Sequence, residues 1–267
     1  MGYFERWLRL TQSNANRCLL AHYCKMAGGH SCNNLCPHFI DMHGMNAKGG
    51  RAGLAGVPSD YRLVTLANSP VRASQPKIYE MLDKYTATFE RQFGDNDNGK
   101  RIKSLYLWSK SPGTGKTTTA VALLNDWLVA HYLGSLKRGR QPLQQPAYFL
   151  DVNEWQTLYN EFNRSHVPED VAERASREYY RRLQAAKKAP FAVLDDIGVR
   201  QATEGFRGDL HAIINYRVTN GLPTVYTSNF PIEDMARIFD ERLYDRMRDM
   251  CAVVEFTGES KRGKRRG

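Results

Sequence analysis

Alternating strand and helix signals predict an α/β chain: one parallel sheet flanked by crossover helices, preceded by a small Cys/His-rich module. Three observations carry that reading. Short apolar runs of strand length, such as Leu105-Tyr106-Leu107-Trp108 and Phe191-Ala192-Val193-Leu194, recur between segments with helical apolar spacing. The first run leads into the glycine-rich turn Ser111-Pro112-Gly113-Thr114-Gly115-Lys116-Thr117-Thr118 and then into a helical pattern. Cys18, Cys24, Cys32 and Cys36 crowd ahead of the sheet pattern, interleaved with His22, His30, His38 and His43.

The expected strands are residues 104–109, 147–151, 191–195, 224–228 and 252–255. The helices between and after them are expected over 116–132, 152–162, 169–185, 205–220, 231–239 and 241–250. No internal repeat is visible. The run Gly44-Met45-Asn46-Ala47-Lys48-Gly49-Gly50-Arg51-Ala52-Gly53 has the composition of a flexible linker. It divides the chain into a module over 1–45, a linker over 46–56, a core domain over 57–258 and a basic, disordered tail over 259–267. Within the core domain, the extended stretch 57–63 and the helical spacing of 78–93 fit either a wall beside a bound ligand or plain core. Little sequence follows the last strand, so no C-terminal helical lid is expected.

A strand, a glycine-rich turn and a helix start make a phosphate-binding loop. Glycines let successive backbone N–H groups converge on an anion, and the new helix adds its positive end. Pro112, Gly113, Thr114, Gly115, Lys116, Thr117 and Thr118 are the expected nucleotide contacts. Lys116 would reach the β- and γ-phosphates and the Thr117 hydroxyl would ligate Mg²⁺. Lys110 stands where the full pattern has its leading glycine, so the loop is a variant.

The apolar run ending at Leu194 closes in Asp195-Asp196. Asp195 would hold Mg²⁺, and Asp196 would polarise the water that attacks the γ-phosphate of ATP. A short Asp in that second position implies a weak ATPase. Asn229, after the fourth strand, can touch the γ-phosphate or the attacking water. In Glu241-Arg242-Leu243-Tyr244-Asp245-Arg246-Met247-Arg248, Arg242 and Arg246 fall four apart on one helix face, so both can project at a neighbouring subunit's phosphate.

Lys and Arg number 38 against 28 Asp and Glu, a formal charge of +10 that favours a polyanionic partner. No apolar run is long enough to span a bilayer, and Met1-Gly2-Tyr3-Phe4-Glu5-Arg6 lacks both a signal-peptide h-region and a myristoylation signal. A cytoplasmic protein is the expectation. Thiols and imidazoles at this density fit a closed tetrahedral zinc site, with Cys24, Cys32, Cys36 and His43 as ligands and Cys18 as the rival fourth. An iron–sulfur cluster on the four cysteines is the alternative metal reading. Cys251 reads as core. Arg174, Arg177, Arg181, Arg182, Lys187 and Lys188, with Tyr179 and Tyr180 among them, fit a surface that tracks single-stranded DNA, and equally a solvated helix face. The tail Lys261-Arg262-Gly263-Lys264-Arg265-Arg266 would add nonspecific phosphate affinity.

The order Pro112-Gly113-Thr114-Gly115-Lys116-Thr117, Leu194-Asp195-Asp196-Ile197-Gly198, Pro223-Thr224-Val225-Tyr226-Thr227-Ser228-Asn229 and Glu241 to Arg248 resembles bacterial and phage helicase loaders of the DnaC/DnaI type, over roughly residues 57–258. That resemblance implies an AAA+ ATPase that binds the replicative DnaB-type helicase and places it on single-stranded DNA. By position it implies Asn229 as sensor, Arg246 as arginine finger and Arg242 as an accompanying sensor-like arginine. It also implies self-association in the ATP state and, as in the DnaI branch, a zinc module that contacts the helicase. The alternatives are an IstB-like transposition helper, an ATP-gated DNA-binding adaptor with negligible turnover, and a zinc-dependent DNA-binding protein with a degenerate loop.

Overall fold

The computed structural model describes residues 13–94, 101–198 and 202–260. Its strands are β1 (Ser104–Trp108), β2 (Ala147–Asp151), β3 (Phe191–Asp195), β4 (Thr224–Ser228) and β5 (Cys251–Glu255). They form one sheet in the order β2-β3-β4-β1-β5, with every neighbouring pair parallel. Each agrees with the expected strand to within one residue at either end. β3 and β4 are buried at every position, as strands covered on both faces must be. The edge strand β5 mixes buried Cys251 and Val254 with exposed Val253 and Glu255.

The helices are α1 (Pro37–His43), α2 (Gly50–Leu54), α3 (Pro76–Thr86), α4 (Lys116–Lys137), α5 (Val152–Asn163), α6 (Glu169–Lys188), α7 (Glu204–Thr219), α8 (Met235–Ile238) and α9 (Glu241–Met250). Side-chain alternation along the strands divides the core into two layers. Leu105, Leu107, Phe149, Val193 and Val225 face α4, together with Val57, Leu66, Val71, Tyr79 and Phe89 from the segment before the sheet. Tyr106, Tyr148, Leu150, Leu194 and Tyr226 face the other way, against Trp155 of α5, Tyr179 of α6, Ile213 of α7 and Met247 of α9. Caught between the sheet and the preceding segment, α4 is buried nearly all round and runs to Lys137, past its expected end. The single helix expected over 231–239 is divided into a 3₁₀ turn at Ile232–Asp234 and the short α8.

The run expected to be a flexible linker over 46–56 is folded onto the domain. It contains α2, whose Arg51 is buried and donates from Nε to Leu143 O (2.8 Å), from Nη1 to Asp41 O (2.9 Å) and from Nη2 to Pro142 O (3.0 Å). The guanidinium also lies over the Tyr132 ring, 5.1 Å from its centroid. The Phe149 N–H on edge strand β2 donates to Ala55 O at 2.7 Å, so this segment covers that edge. The glycines serve close approach here. A Cβ on Gly50, which sits at φ +60°, would stand 2.6 Å from the His43 backbone nitrogen. Glycine density without a helical apolar pattern reads as flexibility in sequence, which is why the packing was not foreseen.

The same contacts draw the N-terminal residues onto α4. Leu19, Leu20 and Met42 join the α4-side core, His38 Nδ1 lies 2.9 Å from Tyr132 Oη, and Tyr132 donates to Asp41 Oδ2 at 3.1 Å. No helix among the described residues is long and apolar enough to cross a membrane. The basic tail over 261–266 lies outside the described residues.

Candidate nucleotide-binding site

The end of β1 and the start of α4 are joined by a tight, glycine-containing turn. Ser109 N–H donates to Ser228 O at 3.3 Å, tying the start of the turn to β4. The Ser109 hydroxyl donates to Ser111 O (2.9 Å) and accepts from Ser111 N–H (3.2 Å), folding the chain back at once. Lys110, in place of the leading glycine, is exposed on this turn, as is Pro112. Gly113 (φ 76°) and Gly115 (φ 104°) take left-handed conformations that other residues resist. A Cβ on Gly115 would lie 2.6 Å from the Val71 methyls, so that position excludes a side chain on two counts. α4 then starts at Lys116, its first bond running from Thr119 N–H to Gly115 O at 2.9 Å. The first backbone N–H groups of this helix face the loop with no intrahelical acceptor, which is the condition for anion binding. Thr114 is buried, Thr118 is half-buried, and the Thr114 hydroxyl has no hydrogen-bond partner among the described residues.

Residues far apart in the chain meet above this loop. Lys116 Nζ donates to Asn229 Oδ1 at 2.9 Å and lies 3.5 Å from Ser111 O. Asn229 Nδ2 reaches on to Asp196 Oδ1 at 3.3 Å. The Thr117 hydroxyl donates to Asp195 Oδ2 at 3.1 Å, and the Thr227 hydroxyl donates to Asp195 Oδ1 at 2.7 Å. Burial pushes the Asp195 carboxyl up to about 6; hydrogen bonds from Thr227 and Thr117 oppose that rise, and the Asp151 and Asp196 charges add to it. Asp196 takes φ 61°, rare for a residue other than glycine. Its backbone N–H donates to Thr227 Oγ1 (2.8 Å), and its carboxylate accepts from Asn153 Nδ2 (2.8 Å). The structure therefore brings Lys116, Thr117, Asp195, Asp196 and Asn229 into one connected cluster.

Asn153 and Thr227 were not foreseen as members of it. β2 lies beside β3 with Asp151 opposite Asp195, so the start of α5 arrives at the end of β3. Asp151 caps α5 by accepting from Asn153 N–H (2.9 Å) and Glu154 N–H (3.0 Å), which aims Asn153 at Asp196. The available signal was a strand ending in an acid with Asn two residues on, and it becomes legible only once strand order is known.

Arg242 and Arg246 belong to a different surface of the same chain. Arg246 Nη1 donates to Asn215 Oδ1 at 2.5 Å and lies 3.5 Å from Thr219 Oγ1, both on α7. Arg242, one turn earlier, is exposed, and both arginines line a hollow of about 630 Å³ between α7 and α9.

The expected metal centre is not assembled. Cys18, Cys24, Cys32 and Cys36 line one cavity of about 230 Å³ under α4, yet among the described residues no three His, Cys, Asp or Glu side chains group as metal ligands. His43 is turned away into the core, where Nε2 accepts the buried Leu19 N–H at 3.0 Å and Phe39 packs 5.2 Å from its ring. Burial pushes its pKa down to about 4. It acts as a core acceptor, which removes it from the set Cys24, Cys32, Cys36 and His43. Cys251 is buried, as expected.

The arginines of the charged stretch of α6 are paired with acids of the same helix and with Glu154 of α5. Arg174 pairs with Asp170, Arg177 with Glu173, Arg181 with Glu178, and Arg182 with Glu178 and Glu154. Lys187 lies over the Tyr216 ring, 4.9 Å from its centroid. Tyr179 is buried and donates to Asp209 Oδ2 at 2.7 Å, which leaves Tyr180 as the exposed aromatic of the pair.

The sheet is parallel, with a glycine-rich loop after β1, acids ending β3 and a polar residue following β4, an arrangement that resembles the phosphate-binding end of P-loop α/β domains. The chain is similar in sequence to replicative helicase loaders. It is 24% identical over 184 residues to the loader DnaI of Bacillus subtilis (strain 168), covering 62% of this chain and 50% of that protein. It is 24% identical over 143 residues to the loader DnaC of Escherichia coli (strain K12), covering 54% of this chain and 49% of that protein. The match thus spans about half the length of these curated relatives. The fold is shared with a crystal structure of DnaI (TM-score 0.51, 23% identity, 77% of this chain and 94% of that one). It is also shared with a crystal structure of the DnaC helicase loader (TM-score 0.50, 21% identity, 75% of this chain and all of that one). No protein-family model matches the chain.

Proposed function

We propose that this chain is an ATP-dependent loader that binds a replicative DnaB-type helicase and places it on single-stranded DNA, acting in the cytoplasm. The observation that carries the proposal is the cluster above the β1–α4 loop. Lys116, Thr117, Asp195, Asp196 and Asn229 are joined, with Thr227 linking the two acids, by hydrogen bonds of 2.7 to 3.3 Å, in a chain similar to two helicase loaders.

In this reading the backbone N–H groups of the loop and the first turn of α4 hold the phosphates. Lys116 exchanges Asn229 Oδ1 for phosphate oxygens. Thr117 Oγ1 and Asp195 Oδ2, 3.1 Å apart, are two hard oxygen ligands on one side of the loop, the donor set a Mg²⁺ ion takes. The ion would neutralise charge developing on the phosphates. Asp196, steadied by Asn153 and by Thr227, accepts the proton of the attacking water. Asn229, linked to both Lys116 and Asp196, registers whether a γ-phosphate is present. Arg246 would complete the site of a second copy in an ATP-dependent assembly.

The test is capture of a purified DnaB-type helicase by the full chain with ATP, ADP or no nucleotide. Stable capture that changes with nucleotide is the expected result. Absence of capture in every state, with cognate helicase supplied, contradicts the proposal and favours a transposition helper or a DNA adaptor.

A further inference from the structure

The surface that carries Arg246 is built in a way that finger geometry alone does not require. His211, Asn215 and Thr219 fall four apart on α7 and so form one row along the helix. Each holds a part of α9. His211 Nε2 pairs with Asp240 Oδ2 at 3.0 Å, while Asp240 Oδ1 caps α9 by accepting Leu243 N–H at 2.7 Å. Asn215 and Thr219 take Arg246, one at 2.5 Å and the other at 3.5 Å. Leu243 and Met247 are buried on the inner side of α9, which leaves its Arg242 and Arg246 edge along the hollow.

The chemistry of those partners is informative. Arg72, Arg138, Arg181 and Arg182, among others, each lie against a carboxylate. Arg246 makes no ion pair among the described residues, and both its acceptors are neutral: an amide oxygen and a hydroxyl. Neutral acceptors fix the direction of a guanidinium and leave its charge unspent. Two acids line the hollow: Asp240 is taken by His211 and the α9 cap, and Glu241, exposed at the start of the helix, makes no ion pair with Arg246.

We propose that Asn215 is the positioning residue for Arg246: it orients the guanidinium, without neutralising it, toward the phosphates of a nucleotide bound by a second copy of the chain. This rests on the reading of Arg246 as a finger supplied in trans. Asn215 is half-exposed and its neighbours Ile213 and Ile214 carry the packing of α7, so substitution there leaves the core intact. Asn215→Asp is the sharp variant. It keeps shape and hydrogen bond but puts a carboxylate on Arg246, which favours the folded chain and spends the charge.

The experiment measures ATP hydrolysis by the full chain with single-stranded DNA, affinity for a fluorescent ATP analogue, and thermal melting. The variants are Arg246→Ala, Asn215→Ala, Asn215→Asp and the double variant Asn215→Asp/Arg246→Ala. The expected result is a fall in kcat of at least about tenfold in both Asn215 variants, with KM and analogue affinity unchanged. Asn215→Asp melts no lower than the parent, and the double variant is no slower than Arg246→Ala alone. Parental kcat in Asn215→Asp beside a slow Arg246→Ala overturns the positioning role and leaves the finger standing. A loss of analogue affinity or a lower melt in Asn215→Asp, matching its loss of kcat, also overturns it. Parental kcat in Arg246→Ala removes the finger reading, and this inference with it.

Discussion

Asp195 joins the thermodynamics of the fold to the proposed chemistry. Its ordinary value of 3.8 rises to about 6, chiefly by burial. A carboxyl raised in this way favours the folded state below pH 3.8 and loses that contribution as pH rises through about 6. Near pH 7 the ionised group therefore costs the nucleotide-free chain on the order of 1–3 kcal/mol, at about 1.4 kcal/mol per pKa unit. A bound cation would repay it. Asp195→Asn is expected to raise the melting temperature of the nucleotide-free chain at pH 7, to leave it unchanged near pH 3.5, and to abolish Mg²⁺-dependent hydrolysis; calorimetry and a phosphate-release assay check both. A lower melt at pH 7 contradicts the burial cost. In the parent chain, kcat/KM for Mg²⁺-ATP is expected to fall as pH drops below about 6, where Asp195 of the nucleotide-free chain takes up its proton. The residues proposed to meet phosphate or cation are legible in the sequence because each stands at a strand end or in the glycine-rich turn that opens α4. Asn153 and Asn215 are not, since an amide on a helix carries no local signature and its role exists only through β2–β3 and α7–α9 packing.

Among the elements, α2 is the one that composition misrepresents. Apolar runs place the strands to within one residue, and helical apolar spacing locates the crossover helices, though α4 runs past its expected end; α2, by contrast, is five residues long and built on glycines that permit close contact. Its anchor is Arg51, a buried cation held by three carbonyls and the Tyr132 ring. Truncation would orphan those carbonyls at a cost of roughly 2–4 kcal/mol. Arg51→Ala is expected to expose residues 46–56 to limited proteolysis while nucleotide affinity stays near parental, because the loop itself rests on Val71, β1 and β4. Unchanged cleavage would contradict the anchoring role. The same packing holds His43 apart from the thiols expected to share a metal with it. His43 lies at the C-terminal end of α1, and the α1–α2 turn directs it to the Leu19 N–H and away from the thiol-lined cavity.

At the scale of the whole molecule, the sheet order brings three strand ends, a glycine-rich loop and the start of α5 to one edge, and it leaves Arg246 on another face. Under the proposed function, a site whose last component lies elsewhere on the same chain is one that assembly would switch. The N-terminal residues pack on α4, the helix that begins at Lys116, so the loop and that packing share one element. The charge of +10 was a poorer guide: on α6, where it looked concentrated, Glu173, Glu178 and Glu154 pair with the arginines. If the Lys116 loop drives helicase deposition, the effect is read directly in unwinding of a forked duplex by a DnaB-type helicase after loading onto single-stranded DNA coated with its binding protein. With ATP, the parent chain is expected to stimulate unwinding and Lys116→Ala to leave it at the helicase-alone level while still melting as a folded protein. Equal stimulation by the two chains would contradict the account.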